Sequence, residues 1–225
     1  MAELVDALAL GASGRKTLEV RLLSRPPKIM KINKKNILSG KLKGLIPEFY
    51  DLKNTVEDNE WHIKETVFDH SLSVLENLEK IFRNLDKNIL NKSRKNLLRI
   101  AALLHDISKP ETMVYENGIA NSLGHEQKGS IKAKKILKRF NLSKKESGII
   151  TNVVKYHGLI HKIISPDNKN FQEEYKKFKK RFSKSIFFEL ILLGYADTIG
   201  SYLKKSNPNR YKHRINFYKK ELKKL

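Results

Sequence analysis

The chain has 225 residues, no cysteine, 40% hydrophobic and 31% charged side chains, and a formal charge of +22. That length suits one well-cored domain with tails, and the balance of side chains excludes a disordered polymer. The missing thiols exclude disulfides and thiolate metal sites, so any transition metal must rest on imidazole and carboxylate.

The first segment differs in composition from the rest of the chain, with Lys16 as the only lysine between Met1 and Pro27. It can be back-translated into something resembling a bacterial leucine tRNA gene. Glu3-Leu4-Val5-Asp6-Ala7 matches a D-arm, Leu8 to Ser13 an anticodon stem and loop, Val20-Arg21 a T-loop, and Arg25-Pro26-Pro27 a terminal CCACCA. The expectation is a misassigned start codon, with residues 1–29 a non-native leader and the protein beginning near Met30; the alternative is a short amphipathic helix. Residues 30–44 read as a basic arm, and Pro47 is placed for the first turn of a short helix over 45–52.

From Thr66 the apolar positions Val67, Val74, Leu75, Leu78, Ile81 and Phe82 recur at three- and four-residue steps, which predicts a helix capped by Thr66 with Asp69. His70 falls on its inward stripe. The next helix, 93–106, is apolar on nearly all sides from Leu97 to Leu104 and ends in His105-Asp106 before Pro110. Burying either polar group without a partner costs several kcal/mol, roughly, so this terminus requires something to neutralise it. A loop over 111–123, marked by Asn117-Gly118, leads to a helix from Gly124-His125-Glu126 to Phe140. Ser143 caps another, read as ending at Tyr156-His157-Gly158. A lysine-rich surface helix spans 171–182, and a strongly apolar one spans 185–203 and carries Asp197. The remainder, 204–225, reads as a basic, polar tail.

His70, His105, Asp106 and Asp197 are thus inward-facing polar residues on separate apolar helices. Two imidazoles and two carboxylates suit Fe, Mn, Zn, Co, Ni or Mg. His125, His157 and, less strongly, His161 are candidates for a second ion, with Asp106 bridging, and Lys109 for contact with substrate phosphate. Singly, each histidine is more often a satisfied core or capping residue; the order of the set is what favours a metal. His62 and His213 read as surface or capping residues.

That order, with Thr66-Val67-Phe68-Asp69-His70-Ser71-Leu72, Ala101-Ala102-Leu103-Leu104-His105-Asp106-Ile107-Ser108-Lys109-Pro110 and Gly124-His125-Glu126, resembles the HD-domain phosphohydrolase superfamily. The flanking residues, Trp61-His62 included, are similar to the HD region of bacterial tRNA nucleotidyltransferases. The resemblance covers about 45–201 and implies an all-α helical bundle over 45–203 that hydrolyses phosphomonoesters or phosphodiesters, commonly on nucleotides, with one or two divalent ions. It implies His70, His105, Asp106 and Asp197 as metal ligands, Asp106 and Lys109 as catalytic, and Lys109, His125 and His157 as substrate-binding. Ser108 stands where glycine is usual, and no nucleotidyltransferase head with a paired Asp-x-Asp motif precedes the domain, so CCA addition is not expected.

The positive charge attracts phosphate-bearing partners, nucleotides first and RNA through the basic surface second. The abundance of Lys, Ile and Asn also fits AT-rich codons. The rival reading is an RNA- or tRNA-binding module on the same scaffold without turnover, and a third is a metal-free regulatory remnant. No stretch approaches the roughly 20 apolar residues of a membrane span, and nothing at the start reads as a secretory signal, so no membrane partner and a cytoplasmic location are expected. Oligomeric state is not encoded in any visible pattern.

Overall fold

The computed structural model describes residues 31–86 and 89–224; the leader expected at 1–29 lies outside them. The chain divides into two units, 1–31 and 32–225, and the described helices and strands all belong to the second. As expected, that unit is all-α: ten α-helices and two small antiparallel ribbons are found among the described residues.

Two short helices, α1 (Lys34–Leu38) and α2 (Pro47–Asp51), lead in, and they bury Ile37 and Phe49 against the core. The stretch read as a basic arm is therefore anchored: Ile32, Ile37 and Leu42 are all buried. Helix α3 (Val67–Asn84) is capped as predicted, with the Thr66 hydroxyl accepting from the Asp69 amide. Its stripe of Val67, Val74, Leu75, Leu78, Ile81 and Phe82 faces inward, and His70 lies on that same buried face.

Helix α4 (Lys92–Leu104), capped by Asn91, buries nearly everything from Leu97 to Leu104. It stops one residue before His105, and the 3₁₀ turn Lys109–Glu111 with Pro110 follows. Helix α5 (His125–Ile136) starts directly at His125, after Gly124 in the left-handed region at φ 78°. Helix α6 (Lys144–Ile163) carries a capping box of Ser143 and Glu146. Helices α7 (Phe171–Phe182), α8 (Phe187–Gly200), α9 (Leu203–Ser206) and α10 (Pro208–Leu222) complete the set. Helix α3 packs on α4 and α8, α6 packs on α4, α5 and α8, and α10 packs on α8. No helix among the described residues is long and apolar enough to cross a membrane.

Three segments differ from the sequence expectation. The loop over 111–123 contains a hairpin, β3 (Val114–Glu116) with β4 (Ile119–Asn121). Its turn holds Asn117 and Gly118 both at positive φ, the geometry that an Asn-Gly pair favours between twisted strands. Helix α6 does not end at Gly158 but runs on to Ile163, because Leu159, Ile160 and Ile163 continue its apolar stripe and no breaker intervenes. The segment read as a tail is helical and buries Arg214, Ile215, Tyr218 and Glu221. Its Tyr218 packs so close to α8 that a Cβ on Gly194 would lie 2.5 Å from the phenol oxygen, which requires glycine there. The sparse apolar content of 204–225 hid a helix that needs only one narrow stripe to dock.

The remaining ribbon positions the loop before α3. Strands β1 (Val56–Glu57) and β2 (Glu65–Thr66) pair, and between them the Asn59 side chain accepts from the amides of Trp61 and His62. This fixes Glu57, Trp61, His62 and Glu65 beside the helix starts.

Candidate metal centre

The helix termini converge. His70 lies in the first turn of α3, His105 and Asp106 follow the end of α4, and His125 opens α5. His157 and His161 are four residues apart on α6 and so share a face, and Asp197 lies in the last turn of α8. His70, His105 and Asp106 are almost completely buried, at 1%, 0% and 2% exposure.

Asp106 is the hub. Its Oδ2 lies 3.0 Å from His105 Nε2, 3.9 Å from His70 Nε2 and 2.8 Å from Lys109 Nζ. Its Oδ1 lies 3.2 Å from His125 Nε2 and 3.6 Å from His157 Nε2. On the other side Asp197 Oδ1 approaches His70 Nε2 at 3.1 Å, and Oδ2 approaches His161 Nε2 at 3.0 Å. Ligand atoms of His70, His105 and Asp197 all fall within 4.8 Å of one another, as do those of His105, Asp106 and His157. All eight residues singled out from the sequence line one connected site. His161 is on the Asp197 side rather than beside His125 and His157.

The tautomers favour a cation. The Nδ1 atoms of His105, His125 and His157 lie 2.8, 2.7 and 2.8 Å from the carbonyl oxygens of Ala102, Ser122 and Val154. A carbonyl only accepts, so each Nδ1 carries the proton and each Nε2 points inward, where it can hold either a metal ion or a second proton. His125 Nε2 and His157 Nε2 then face each other at 3.3 Å, so a proton or a metal ion has to lie between two lone pairs. His105 Nε2 and Asp106 Oδ1 are buried and make no well-aligned hydrogen bond, with Asp106 Oδ2 at 3.0 Å from the first and His125 Nε2 at 3.2 Å from the second. Buried nitrogen and oxygen lone pairs, pointed at a common centre, fit a divalent ion.

Burial acts downward on His105 and His125, but Asp106 raises both above the ordinary imidazole value, so a proton and a metal ion compete for their Nε2 atoms. Burial pushes the Asp106 carboxyl upward, but His105, Lys109 and His125 outweigh it and hold it well below the usual carboxylate range. Burial likewise opposes His161 and His70 at Asp197, and loses. Both carboxylates are therefore anions at neutral pH. Burial lowers His157 from its ordinary value and keeps its imidazole neutral. For Lys109 burial acts downward, yet Asp106 and Glu57 raise the ammonium above its ordinary value, so it stays charged.

Several residues of the site were not expected there from the sequence. Glu57 Oε2 holds Lys109 Nζ at 2.8 Å and is itself 3% exposed. His62, expected at the surface, is buried, with Nδ1 3.0 Å from Glu65 Oε2 and its ring against His70 at 4.4 Å. Burial drives it well below the ordinary imidazole value, and it pushes Glu65 up to about 7 despite attraction from His70. The turn that the Asn59 side chain organises, together with strand pairing, draws these residues inward, and neither is visible in a periodic pattern.

A cleft of about 650 Å³ opens over the cluster, floored by His70, Asp106, His125 and Asp197 and walled by the loop before α3 and by β4. The family profile described as HD domain matches residues 67–195, more than half of the chain. The chain belongs to the HD-domain family. No curated protein matches it. HD domains are generally metal-dependent hydrolases that bind divalent ions, and the buried His and Asp clusters suit such an ion. The HD match spans His70, His105, Asp106, Lys109, His125, His157 and His161, while Asp197, Glu57, His62 and Trp61 lie outside it and join the site through the fold alone.

Proposed function

We propose that this HD domain hydrolyses a phosphate ester of a nucleotide or a related compound, a monoester or a diester such as a 2′,3′-cyclic phosphate. One divalent ion (Fe, Mn, Zn, Co, Ni or Mg) is assigned to His70, His105, Asp106 and Asp197, and a second to His125 and His157 with Asp106 shared. The observation that carries the reading is the division of the Asp106 carboxylate, one oxygen toward His70 and His105 and the other toward His125 and His157. A carboxylate shared in this way suits paired ions, which when bound polarise phosphoryl oxygens and lower the pKa of water.

The side chains supply the rest. The Lys109 ammonium has three donors, of which Asp106 and Glu57 take two. The third is assigned to a non-bridging phosphoryl oxygen, whose negative charge grows during displacement. The cleft is of nucleotide size, and the charge of +22 concentrates anions around it.

The test is a panel of nucleoside monophosphates, 2′,3′-cyclic nucleotides and simple phosphodiesters, assayed with each of the divalent ions. Turnover of at least one class is expected, and Lys109→Ala should lower kcat by about 10²–10³-fold, the range for losing one charge-stabilising donor. No turnover with any ion, together with salt-sensitive RNA binding that survives Asp106→Ala, would replace the hydrolase reading with that of an RNA-binding scaffold.

A further inference from the structure

The cleft that holds Lys109 is also lined by a cation that the metal chemistry does not use. Arg214, on α10, lies beyond the end of the HD match at residue 195. It lines the same cleft as the metal cluster and is 5% exposed. Its guanidinium rests 4.8 Å above the Trp61 ring, and one terminal nitrogen donates to the His161 carbonyl at 2.9 Å. Its Nε is buried and has no partner.

The neighbouring carboxylates are committed elsewhere. Arg210, one turn earlier, pairs with Glu60 and Asp167, and Asp197 faces His70 and His161. Among the described residues Arg214 has no ion pair. Burial lowers its pKa from the ordinary guanidinium value and Arg210 adds to this, while Tyr218, Asp197 and Glu60 offset it only in part. A buried guanidinium with an idle N–H is costly unless an anion completes it.

The position is built rather than incidental. The Tyr202 amide donates to the Trp61 carbonyl at 2.7 Å, and Asn207 and Arg210 hold the Glu60 carboxylate at 2.8 and 3.0 Å. These bonds clamp the start of α10 to the loop that carries Trp61, and Trp61 in turn packs on the His161 ring at 5.0 Å. The guanidinium is fixed over the indole and tied by one terminal nitrogen to the His161 carbonyl, which leaves its other nitrogens uncommitted for binding an oxyanion in the cleft.

We infer that Arg214 is a specificity-determining residue that binds a second, non-reacting phosphate of the substrate, so that the cleft selects compounds bearing two separated phosphates over monophosphates. The inference rests on the proposed hydrolase function only for the identity of the reacting group.

The test uses the full chain with Mn²⁺ and probes that cannot be hydrolysed: alkylene diphosphonates with one to four methylenes between the phosphorus atoms, against ethylphosphonate, with affinity measured by calorimetry. One spacing should bind at least about tenfold tighter than ethylphosphonate. That advantage should fall below about threefold in both Arg214→Gln and Arg214→Met, the latter filling the space beside Trp61 without a charge, in proteins whose thermal midpoints confirm folding. An advantage that survives both substitutions, or no diphosphonate binding more tightly than ethylphosphonate, overturns the inference. A lost advantage in the variants combined with no turnover on any phosphoester would leave Arg214 as an anion site and remove the hydrolase reading alone.

Discussion

Asp106→Ala is expected to release the bound metal and to reduce turnover to background, a loss of at least about 10⁴-fold given the acceleration a hydrolytic centre supplies. Both of its oxygens are committed, one between His70 and His105 and the other between His125 and His157, so no neighbour can substitute for it. Its loss also leaves Lys109, charged and 7% exposed, with Glu57 as its remaining partner. Breaking a fully buried ion pair costs roughly 3–5 kcal/mol, and the retained Glu57 contact should keep this case below that range. Asp106→Asn preserves shape and removes only the charge. It should lose metal as the alanine variant does, while its thermal midpoint falls less. Metal content by plasma mass spectrometry, turnover and melting together separate the two consequences, and full metal occupancy in either variant would contradict the role assigned to Asp106.

The second large effect concerns the number of ions. Replacing His125 and His157 together by alanine should lower bound metal from two equivalents to one and reduce kcat by about 10²–10³-fold, through loss of one of the two clamps on the phosphoryl group. His70→Ala should instead empty the Asp197 side. The partition follows from the geometry: His125 and His157 face each other at 3.3 Å across from Asp106 Oδ1, while His70 and Asp197 meet at 3.1 Å on the opposite side. If the His125/His157 double variant kept its metal stoichiometry and rate, the centre would be mononuclear and those histidines would serve only to shape the cleft. If either variant lost all metal, the sites would be a single cooperative unit.

Much of this arrangement was legible in the sequence because helices announce themselves. The stripe of α3, the Thr66 cap and the all-round apolar run of α4 locate His70, His105 and Asp106 within a turn of where they stand. Asp197 was legible for the same reason, as one of two carboxylates, with Glu189, in a helix that is otherwise strongly apolar. What could not be read comes from tertiary contacts. His62 looks like a loop residue, and only the Asn59 turn and the short β1–β2 pairing bury it against His70. Glu57 gains meaning solely from Lys109, 52 positions away. Helix α10 resembles a solvated tail because its apolar stripe is one residue wide, yet Gly194 admits Tyr218 and the helix delivers Arg214 to the cleft. The reach of α6 past Gly158, which puts His161 against Asp197, was concealed by a glycine that sits inside the helix with the Glu126 side chain lying beside it rather than ending the helix.

Whether one centre, built on His70, His105, Asp106 and Asp197, holds the ion is tested most directly by crystals of the full chain grown with Mn²⁺, with anomalous scattering measured on the manganese edge. A peak is expected about 2.0–2.3 Å from the Nε2 atoms of His70 and His105 and from oxygens of Asp106 and Asp197, the usual range for such ligands. No peak within reach of these four side chains, in crystals where manganese is bound elsewhere or not at all, would contradict the assignment.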